Sequence, residues 1–336
     1  MNVAINGLGR IGRAAMKQVL DESALNLVAV NDLIPADNLA YLLNFDTVYG
    51  RYQRTVEAAD GGLRVDGRTI PLYSERDPAR LPWKELGVSL VFECTGAFRK
   101  REDLAKHVDA GAQTVILSAP AKGDDIGTVV HGVNTATGEG KRIISCASCT
   151  TNCIAPVMEV MNRRIGIRKA IMTTIHAYTT SQGIVDGPNK QFRRGRAAAA
   201  NLVPTSTGAA KAATLALPEL KGKFDGVAVR APVPVGSLAD IVLLTSRPTS
   251  VEEVNTIFRE ESKSERYRGI LDATDDPIVS SDIIGRTHAS IVDLGTTQVV
   301  DGDLVKVMSW YDNEWGYTHQ MLREAVAIAK YQHRQR

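Results

Sequence analysis

The sequence predicts two domains of different class, an α/β domain followed by an α+β domain. Three observations carry that expectation. The chain has 336 residues, about two domain lengths at roughly 150 residues each. Its first half alternates short β-branched runs with helix-period stretches, the pattern of a mostly parallel sheet with helices on its faces. Its second half sets longer, better-alternating strands and helices in separate blocks, which predicts a mixed or antiparallel sheet.

The elements follow in order. Val3-Ala4-Ile5 opens as a strand, Arg10 to Leu20 follows as a helix, and Leu25 to Val30 reads as a second buried strand. Val88 to Phe92, Thr114 to Leu117 and Ile143-Ile144 are further strands, each leading into small or polar residues. Ligands of such sheets gather at the carboxyl ends of the strands, so Gly7, Asp32, Thr95-Gly96, Ser118 and Ser148-Cys149 are the first places to look. Beyond a boundary near Thr150, Ala170 to Ile175 and Ile241 to Leu244 read as strands and Val251 to Ser262 as a helix. Tyr178 to Arg196 has little periodicity and holds Gly183, Gly187-Pro188 and the cluster Arg193-Arg194-Gly195-Arg196; a loop of that length in a packed domain is functional or part of an interface. Gln320 to Ala329 closes the chain as an amphipathic helix.

Composition narrows the classes. Forty basic against 38 acidic residues give a formal charge of +2, which argues against an electrostatic nucleic-acid binder. The hydrophobic share of 44% with 23% charged residues is ordinary for a globular protein. No apolar run approaches the ~20 residues of a membrane span, and Met1-Asn2 leads into a strand rather than a signal peptide. Four cysteines, three of them within eight positions, do not make a disulfide framework and point to a reducing cytoplasm.

Gly7-Leu8-Gly9-Arg10-Ile11-Gly12 is a G-x-G-x-x-G run between a strand and a helix. Gly7 permits the tight turn, Gly9 lets the backbone approach a pyrophosphate, and Gly12 lets helix and strand pack closely. The pyrophosphate would then sit on the helix N-terminus. Asp32 ends the second strand, where a carboxylate accepts from both ribose hydroxyls and repels a 2′-phosphate, favouring NAD over NADP. The first domain is therefore expected to be a Rossmann-type dinucleotide-binding domain.

Ser145-Cys146-Ala147-Ser148-Cys149-Thr150-Thr151-Asn152-Cys153 follows a strand and precedes a helix. A cysteine at a helix N-terminus has its thiolate stabilised by the dipole, and Cys149 is best placed for this. Alternatives are a Cys146-x-x-Cys149 redox pair, a metal site with Cys94, and small buried apolar thiols. Among six histidines, His176 ends a strand and opens the long loop; beside Cys149 it could hold the thiolate and exchange protons with substrate oxygen.

The chain is similar end to end to the phosphorylating glyceraldehyde-3-phosphate dehydrogenases. The resemblance rests on Ile5-Asn6-Gly7-Leu8-Gly9-Arg10-Ile11-Gly12-Arg13, on Ala147 to Cys153, and on Thr173-Thr174-Ile175-His176-Ala177-Tyr178-Thr179. It continues through Pro204-Thr205-Ser206-Thr207-Gly208-Ala209-Ala210-Lys211 and Trp310-Tyr311-Asp312-Asn313-Glu314-Trp315-Gly316-Tyr317. It implies an NAD-binding domain over 1–149, completed by a C-terminal helix over 315–336, and a catalytic domain over 150–314. It implies that Cys149 attacks the aldehyde of D-glyceraldehyde 3-phosphate, that His176 handles the proton as hydride leaves, and that inorganic phosphate releases the thioester as an acyl phosphate.

By the same resemblance Thr179 and Arg230 bind the substrate's phosphate, and Ser148, Thr150, Thr207, Gly208 and Arg194 form the rest of the phosphate-binding set. Arg10 and Ile11 contact the pyrophosphate, Arg76 and Ser118 line the cofactor groove, and Asn313 orients the nicotinamide carboxamide. No metal, nucleic acid or membrane partner is implied, and a homotetramer is. Gly187-Pro188 resembles NAD users rather than dual-cofactor forms. Two positions depart from the family. Cys146 stands where most relatives have Asn, raising oxidative cross-talk with the nucleophile or a local packing change. Pro232-Val233-Pro234-Val235-Gly236-Ser237-Leu238-Ala239-Asp240 stands where relatives usually read Pro-Thr-Pro-Asn-Val-Ser-Val-Val-Asp, leaving open the geometry after Arg230. The rival readings are an erythrose-4-phosphate dehydrogenase and a non-enzymatic NAD(H) sensor.

Overall fold

Alternation along the opening strand, Asn2–Asn6, sets the first half of the fold. Val3 and Ile5 turn to one face of the sheet and Ala4 to the other, and all three are fully buried, so helices must cover both sides. The computed structural model of the protein describes residues 1–135 and 140–334. It divides into two units: Met1–His131 with Thr135–Ala147 and Met321–Arg336, and Ser148–Gln320 with Gly132–Asn134. The last helix, Trp315–Arg334, belongs to the second unit up to Gln320 and to the first from Met321.

The first unit is built on a nine-stranded sheet. Its spatial order is Gly127–Thr128, Ile143–Ser145, Thr114–Leu117, Leu90–Glu93, Asn2–Asn6, Asn26–Asn31, Arg68–Tyr73, Gly62–Val65 and Val56–Ala59. The strands from Gly127–Thr128 to Arg68–Tyr73 pair in parallel, and the last two add antiparallel hairpins. The opening strand lies in the middle, so the chain leaves it first to one side and later to the other. That reversal is the place where doubly wound sheets bind nucleotides. On one face Val3, Ile5, Leu27, Val30, Leu90 and Phe92 pack with Met16 and Val19 of the helix Arg10–Asp21, Leu39 and Leu43 of Ala36–Asn44, and Met321 and Ala325 of the final helix. Each such side chain contributes roughly 1.5–3 kcal/mol by leaving water. Ala4, Ala29 and Val91 meet Leu81, Trp83 and Ala112 on the other face.

The antiparallel additions are absent from the reading of the sequence, and the second of their hairpins turns on Asp66-Gly67. Both residues have positive φ, 48° and 83°, the two-residue hairpin geometry that matches strand twist.

The second unit carries a seven-stranded mixed sheet in the order Val203–Ser206, Phe224–Ala231, Ile167–Ala177, Ser237–Thr245, Leu304–Tyr311, Ser290–Val300 and Leu271–Thr274. The pairing of Ile167–Ala177 with Phe224–Ala231 is parallel and puts His176 beside Arg230 in register. Ser237–Thr245 runs antiparallel between Ile167–Ala177 and Leu304–Tyr311, setting Ser237 opposite Tyr311. The helix Cys149–Arg164 is buried from Thr150 to Met161.

Candidate active site

The glycine run of the first unit has the geometry its chemistry needs. Gly7 has φ +92°, and a Cβ there would lie 2.6 Å from the Thr95 nitrogen. A Cβ on Gly12 would lie 1.8 Å from the Gly7 carbonyl oxygen. Gly9 differs: nothing stands within 4 Å of its Cβ position, and it caps the helix Arg10–Asp21 without any side-chain acceptor for the first-turn amides. An open approach to uncapped helix amides fits a pyrophosphate.

Asp32 is fixed by that loop. Its Oδ2 accepts from the Leu8 amide at 2.5 Å and its Oδ1 from the Ile34 amide at 2.9 Å, leaving lone pairs for further donors. Arg10 pairs with Asp46 at 2.6 Å and lies over the Tyr49 ring. Ile11 is half-buried against the core. Arg76 is exposed just beyond Glu75, which exchanges hydrogen bonds with Asn31. Ser118 donates its amide to the Glu93 carbonyl.

A buried polar chain holds these loops from below. Trp83 Nε1–H donates to His107 Nδ1 at 3.0 Å, so the neutral His107 carries its proton on Nε2 and gives it to Glu93 at 3.0 Å. The Glu93 carboxylate also accepts from Asn6 at 2.6 Å and from the amide and hydroxyl of Thr95. Glu93 and His107 are fully buried. A buried carboxylate is tolerated because each oxygen is satisfied. Of this chain only Thr95 was among the positions singled out in the sequence: Asn6 and Glu93 end strands, but His107 lies inside the helix Arg101–Asp109 and no local spacing joins them.

In the second unit the nucleophile is set by local backbone. Ala147 has φ +56°, a left-handed conformation uncommon for a residue with a side chain, and it turns the chain into Ser148. Ser148 Oγ caps the helix by accepting from the Thr151 amide at 3.1 Å, which leaves Cys149 as the first helical residue.

Cys149 Sγ lies 3.4 Å from His176 Nε2. On the other edge of the imidazole, Nδ1 lies 2.7 Å from the Ala177 carbonyl and 2.6 Å from Arg230 Nη1, which also donates to that carbonyl at 2.8 Å. Tyr311 stands edge-on to the ring, and its hydroxyl bonds Thr150 at 2.8 Å and Thr174 at 2.7 Å.

Electrostatics differ from the sequence expectation. Burial of its sulfur pushes the Cys149 thiol up, opposed by the Arg230 charge and by hydrogen bonds from Thr150 and the helix amides. Desolvation outweighs the dipole here. Burial, with the charges of Arg230 and Arg194 adding to it, lowers His176 to about 3. The other thiols are held as thiols: burial pushes Cys94 and Cys153 to about 12 and Cys146 well above its ordinary value. Cys146 sits in the core of the first unit as an apolar side chain, which is the packing reading and not the redox one. None of the four cysteines is in a disulfide, and among the described residues no cluster of His, Cys, Asp or Glu is arranged to hold a metal.

The anion-binding candidates fall into two groups. Arg194, in the short helix Phe192–Gly195, donates to Thr205 Oγ1 at 2.9 Å and to the Ser206 carbonyl at 3.3 Å, so it lies along the segment that carries Thr207 and Gly208. Thr207 Oγ1 accepts from the Ala209 amide at 3.2 Å, and Gly208 caps Ala209–Ala216 with open space at its Cβ position. Thr179 bonds Ser181 at 2.9 Å, two residues beyond the Ala177 carbonyl that Arg230 grips. Thr150 lies deeper than the other candidates. It is 4% exposed with its hydroxyl bonded to Tyr311, which sets it against the thiol as well as in the phosphate-binding set.

Asn313 is 5% exposed, and its Oδ1 accepts from Ser237 Oγ at 2.9 Å and the Gly236 amide at 3.3 Å. With the oxygen committed, the amide's NH2 is what it has left to offer. Ser237 Oγ also accepts from the Ala177 amide at 3.1 Å. The divergent segment after Arg230 thus ties His176's strand to Asn313. Ser237 and Tyr311 are site residues the sequence reading quoted without a role.

Comparison with known proteins follows the same division. Residues 1–101 match the family model "Glyceraldehyde 3-phosphate dehydrogenase, NAD binding domain", and residues 148–313 match "Glyceraldehyde 3-phosphate dehydrogenase, C-terminal domain". The chain is 48% identical over 331 residues to glyceraldehyde-3-phosphate dehydrogenase 2 of Streptomyces avermitilis and to the glyceraldehyde-3-phosphate dehydrogenase of Geobacillus stearothermophilus, covering 98% of each partner in both cases. It is 48% identical over 332 residues to glyceraldehyde-3-phosphate dehydrogenase 1 of Bacillus subtilis, again over 98% of both chains.

Proposed function

We propose that this chain, which belongs to the glyceraldehyde-3-phosphate dehydrogenase family, oxidises D-glyceraldehyde 3-phosphate to 1,3-bisphosphoglycerate with reduction of NAD. The observation that carries the chemistry is Cys149 Sγ at 3.4 Å from His176 Nε2 at the start of a helix. The residues fit NAD: the open Gly9, the close-packed Gly7 and Gly12, and the oriented Asp32 would hold it with Arg10, Ile11, Arg76 and Ser118, and Asn313 would take the carboxamide. Bound there, the nicotinamide supplies the hydride acceptor.

The Cys149 thiol gives its proton to His176 Nε2, 3.4 Å away, and Sγ attacks the aldehyde carbon, forming a C–S bond as the carbonyl pair moves to oxygen. The helix amides around Cys149 and His176 Nε2 face that oxyanion, and Nε2 delivers the proton that makes the hemithioacetal. His176 takes the same proton back as hydride leaves, giving the thioester. Arg230 and Thr179 hold the substrate's phosphate. Arg194, Ser148, Thr207 and Gly208 present donors to inorganic phosphate, whose oxygen attacks the thioester carbon and expels the Cys149 thiolate.

The long loop supports assembly with further copies of the chain. Ile184, Val185 and Phe192 of the loop are 87%, 74% and 89% exposed, and Leu202 just beyond it 69%, an apolar surface that a homotetramer covers. No helix among the described residues is long and apolar enough to cross a membrane. With unpaired thiols throughout, the reaction belongs to a reducing cytoplasm.

The test is NADH formation from glyceraldehyde 3-phosphate with and without inorganic phosphate, repeated with NADP and with erythrose 4-phosphate. Sustained turnover that needs phosphate is expected. A single burst followed by phosphate-independent turnover would remove Arg194 and Thr207 from acceptor binding.

A further inference from the structure

Asn313 keeps its NH2 for a ligand because both lone pairs of Oδ1 are taken, by Ser237 Oγ at 2.9 Å and by the Gly236 amide at 3.3 Å. What holds those donors lies elsewhere in the chain. Gly236 has φ +92°, and a Cβ there would lie 2.2 Å from the Ser280 carbonyl oxygen. Only glycine accepts that conformation together with that approach. Ser280 opens the short helix Ser280–Ile283, which is anchored by the fully buried Ile283 and by the Val279 amide donating to Asp282 at 2.8 Å.

The same segment also reaches the backbone beside Asn313. The Gly285 amide donates at 2.8 Å to Oδ2 of Asp312. Asp312 Oδ1 accepts from the amides of Glu314 at 2.8 Å and Trp315 at 2.7 Å. Asp312 is 1% exposed, and such a buried carboxylate is kept in place by the donors it satisfies. A Cβ on Gly316 would lie 2.7 Å from the His288 carbonyl oxygen and 3.0 Å from that of Arg286. Gln320 Nε2 donates to the Thr287 carbonyl at 2.8 Å. Residues 280–288 thus grip the chain that flanks Asn313 and the loop that supplies the donors to its Oδ1.

We propose that residues 280–288 are a clamp that positions Asn313 for the nicotinamide half of the cofactor, with Gly236 and Asp312 as its attachment points. The inference rests on the reading above that Asn313 takes the nicotinamide carboxamide. An Asn side chain free to rotate presents its oxygen as readily as its NH2, and a carboxamide, with one donor end and one acceptor end, then binds in either orientation. With Oδ1 committed, the carboxamide turns its carbonyl oxygen to the Asn313 NH2. Gly236 and Asp312 act through Asn313, so they are positioning residues.

The experiment is calorimetric binding of NAD, and of ADP-ribose, which lacks the nicotinamide, to the wild type, to Gly236→Ala, Asp312→Asn and Asn313→Ala, and to the double variants. Asp312→Asn keeps Oδ1 for Glu314 and Trp315 and turns an NH2 on the Gly285 amide, which releases the clamp alone. Gly236→Ala and Asp312→Asn are each expected to weaken NAD roughly 10-fold, about the worth of one hydrogen bond, and to leave ADP-ribose unchanged. Combined with Asn313→Ala, neither costs NAD anything further, because the side chain through which they act is already gone. Equal losses for the two ligands, or a loss that persists in full beside Asn313→Ala, overturn the clamp and leave a merely structural role. An Asn313→Ala variant that binds NAD as tightly as the wild type overturns the carboxamide reading, and the clamp with it. Hydrogen exchange of the wild type decides the matter even if the variants do not fold. Coupling is reciprocal, so NAD is expected to slow exchange of the Gly236 and Gly285 amides roughly 10-fold more than ADP-ribose does. Equal protection by the two ligands overturns the proposal.

Discussion

The ring of Tyr311 stands edge-on to that of His176, with centroids 5.9 Å apart and planes at 78°. Its hydroxyl fixes Thr150, whose own hydrogen bond helps to hold the Cys149 thiol down against burial. Tyr311→Phe keeps the wall and removes the hydroxyl. Acylation is expected to slow about 10-fold, the equivalent of one lost hydrogen bond. The pH profile of Cys149 alkylation is expected to move to the alkaline side, because Thr150 then donates less firmly to the thiolate. Slower acylation with an unmoved profile would place the effect in packing instead.

Asp32 serves the loop and the ligand at once. Replacing it by Ala removes the acceptor of the Leu8 amide along with the charge that repels a 2′-phosphate. Asp32→Asn keeps a carbonyl oxygen for Leu8 and removes only the charge. In Asp32→Asn the ratio of kcat/KM for NAD over NADP is expected to fall at least about 10-fold, chiefly through NAD's lost ribose contacts and relieved repulsion of NADP. In Asp32→Ala both cofactors are expected to bind more weakly. Steady-state kinetics with each cofactor check this, and an unchanged ratio in the Asn variant would remove Asp32 from ribose recognition.

Ser237 is fully buried and holds both the Asn313 amide and the Ala177 amide. In Ser237→Ala the Ala177 N–H loses its acceptor and Asn313 one of its two donors, a cost of roughly 1–3 kcal/mol in stability for a buried unpaired group. Asn313 is then free to turn, so KM for NAD is expected to rise with little change in KM for the aldehyde. Equal rises in both would point to a general loosening of the sheet.

What the sequence disclosed and what it withheld divide by distance along the chain. The roles of Gly7, Gly9, Gly12 and Asp32 are local: a strand, a turn and a helix suffice to place them, and the structure shows the reason for each in a clash, an opening or a hydrogen bond. Ser148 as helix cap and Cys149 as first helical residue are local too. His176, Arg230, Ser237 and Tyr311 meet only through strand register, His176 beside Arg230 and Ser237 opposite Tyr311, and no spacing in the chain encodes a pairing between strands so far apart. Arg230 was legible through family resemblance alone, and His176 through that resemblance and its place at the end of a strand. The helix start at Cys149 is visible in sequence, and the desolvation that opposes its dipole is not. The hairpins of the first unit were legible and overlooked, since Asp66-Gly67 is a strong two-residue turn signal.

Acid pH tests the burial of His176 directly. The residue is 6% exposed and its folded value is lowered from 6.5 to about 3. A group depressed in this way contributes stability above its unfolded value, and that stability is lost as pH falls through the window from 6.5 towards 3, because the unfolded chain binds a proton that the folded chain refuses. At about pH 5 the loss is about 2 kcal/mol, at 1.36 kcal/mol per unit. His176→Asn has no such proton to refuse. Relative to wild type, the variant is therefore expected to gain about 2 kcal/mol in unfolding free energy between neutral pH and about pH 5, read from urea midpoints at each pH. Its activity is lost at both. A stability difference that stays constant across this range would mean that His176 is protonated in the folded protein, held as an ion pair with the Cys149 thiolate in spite of Arg230.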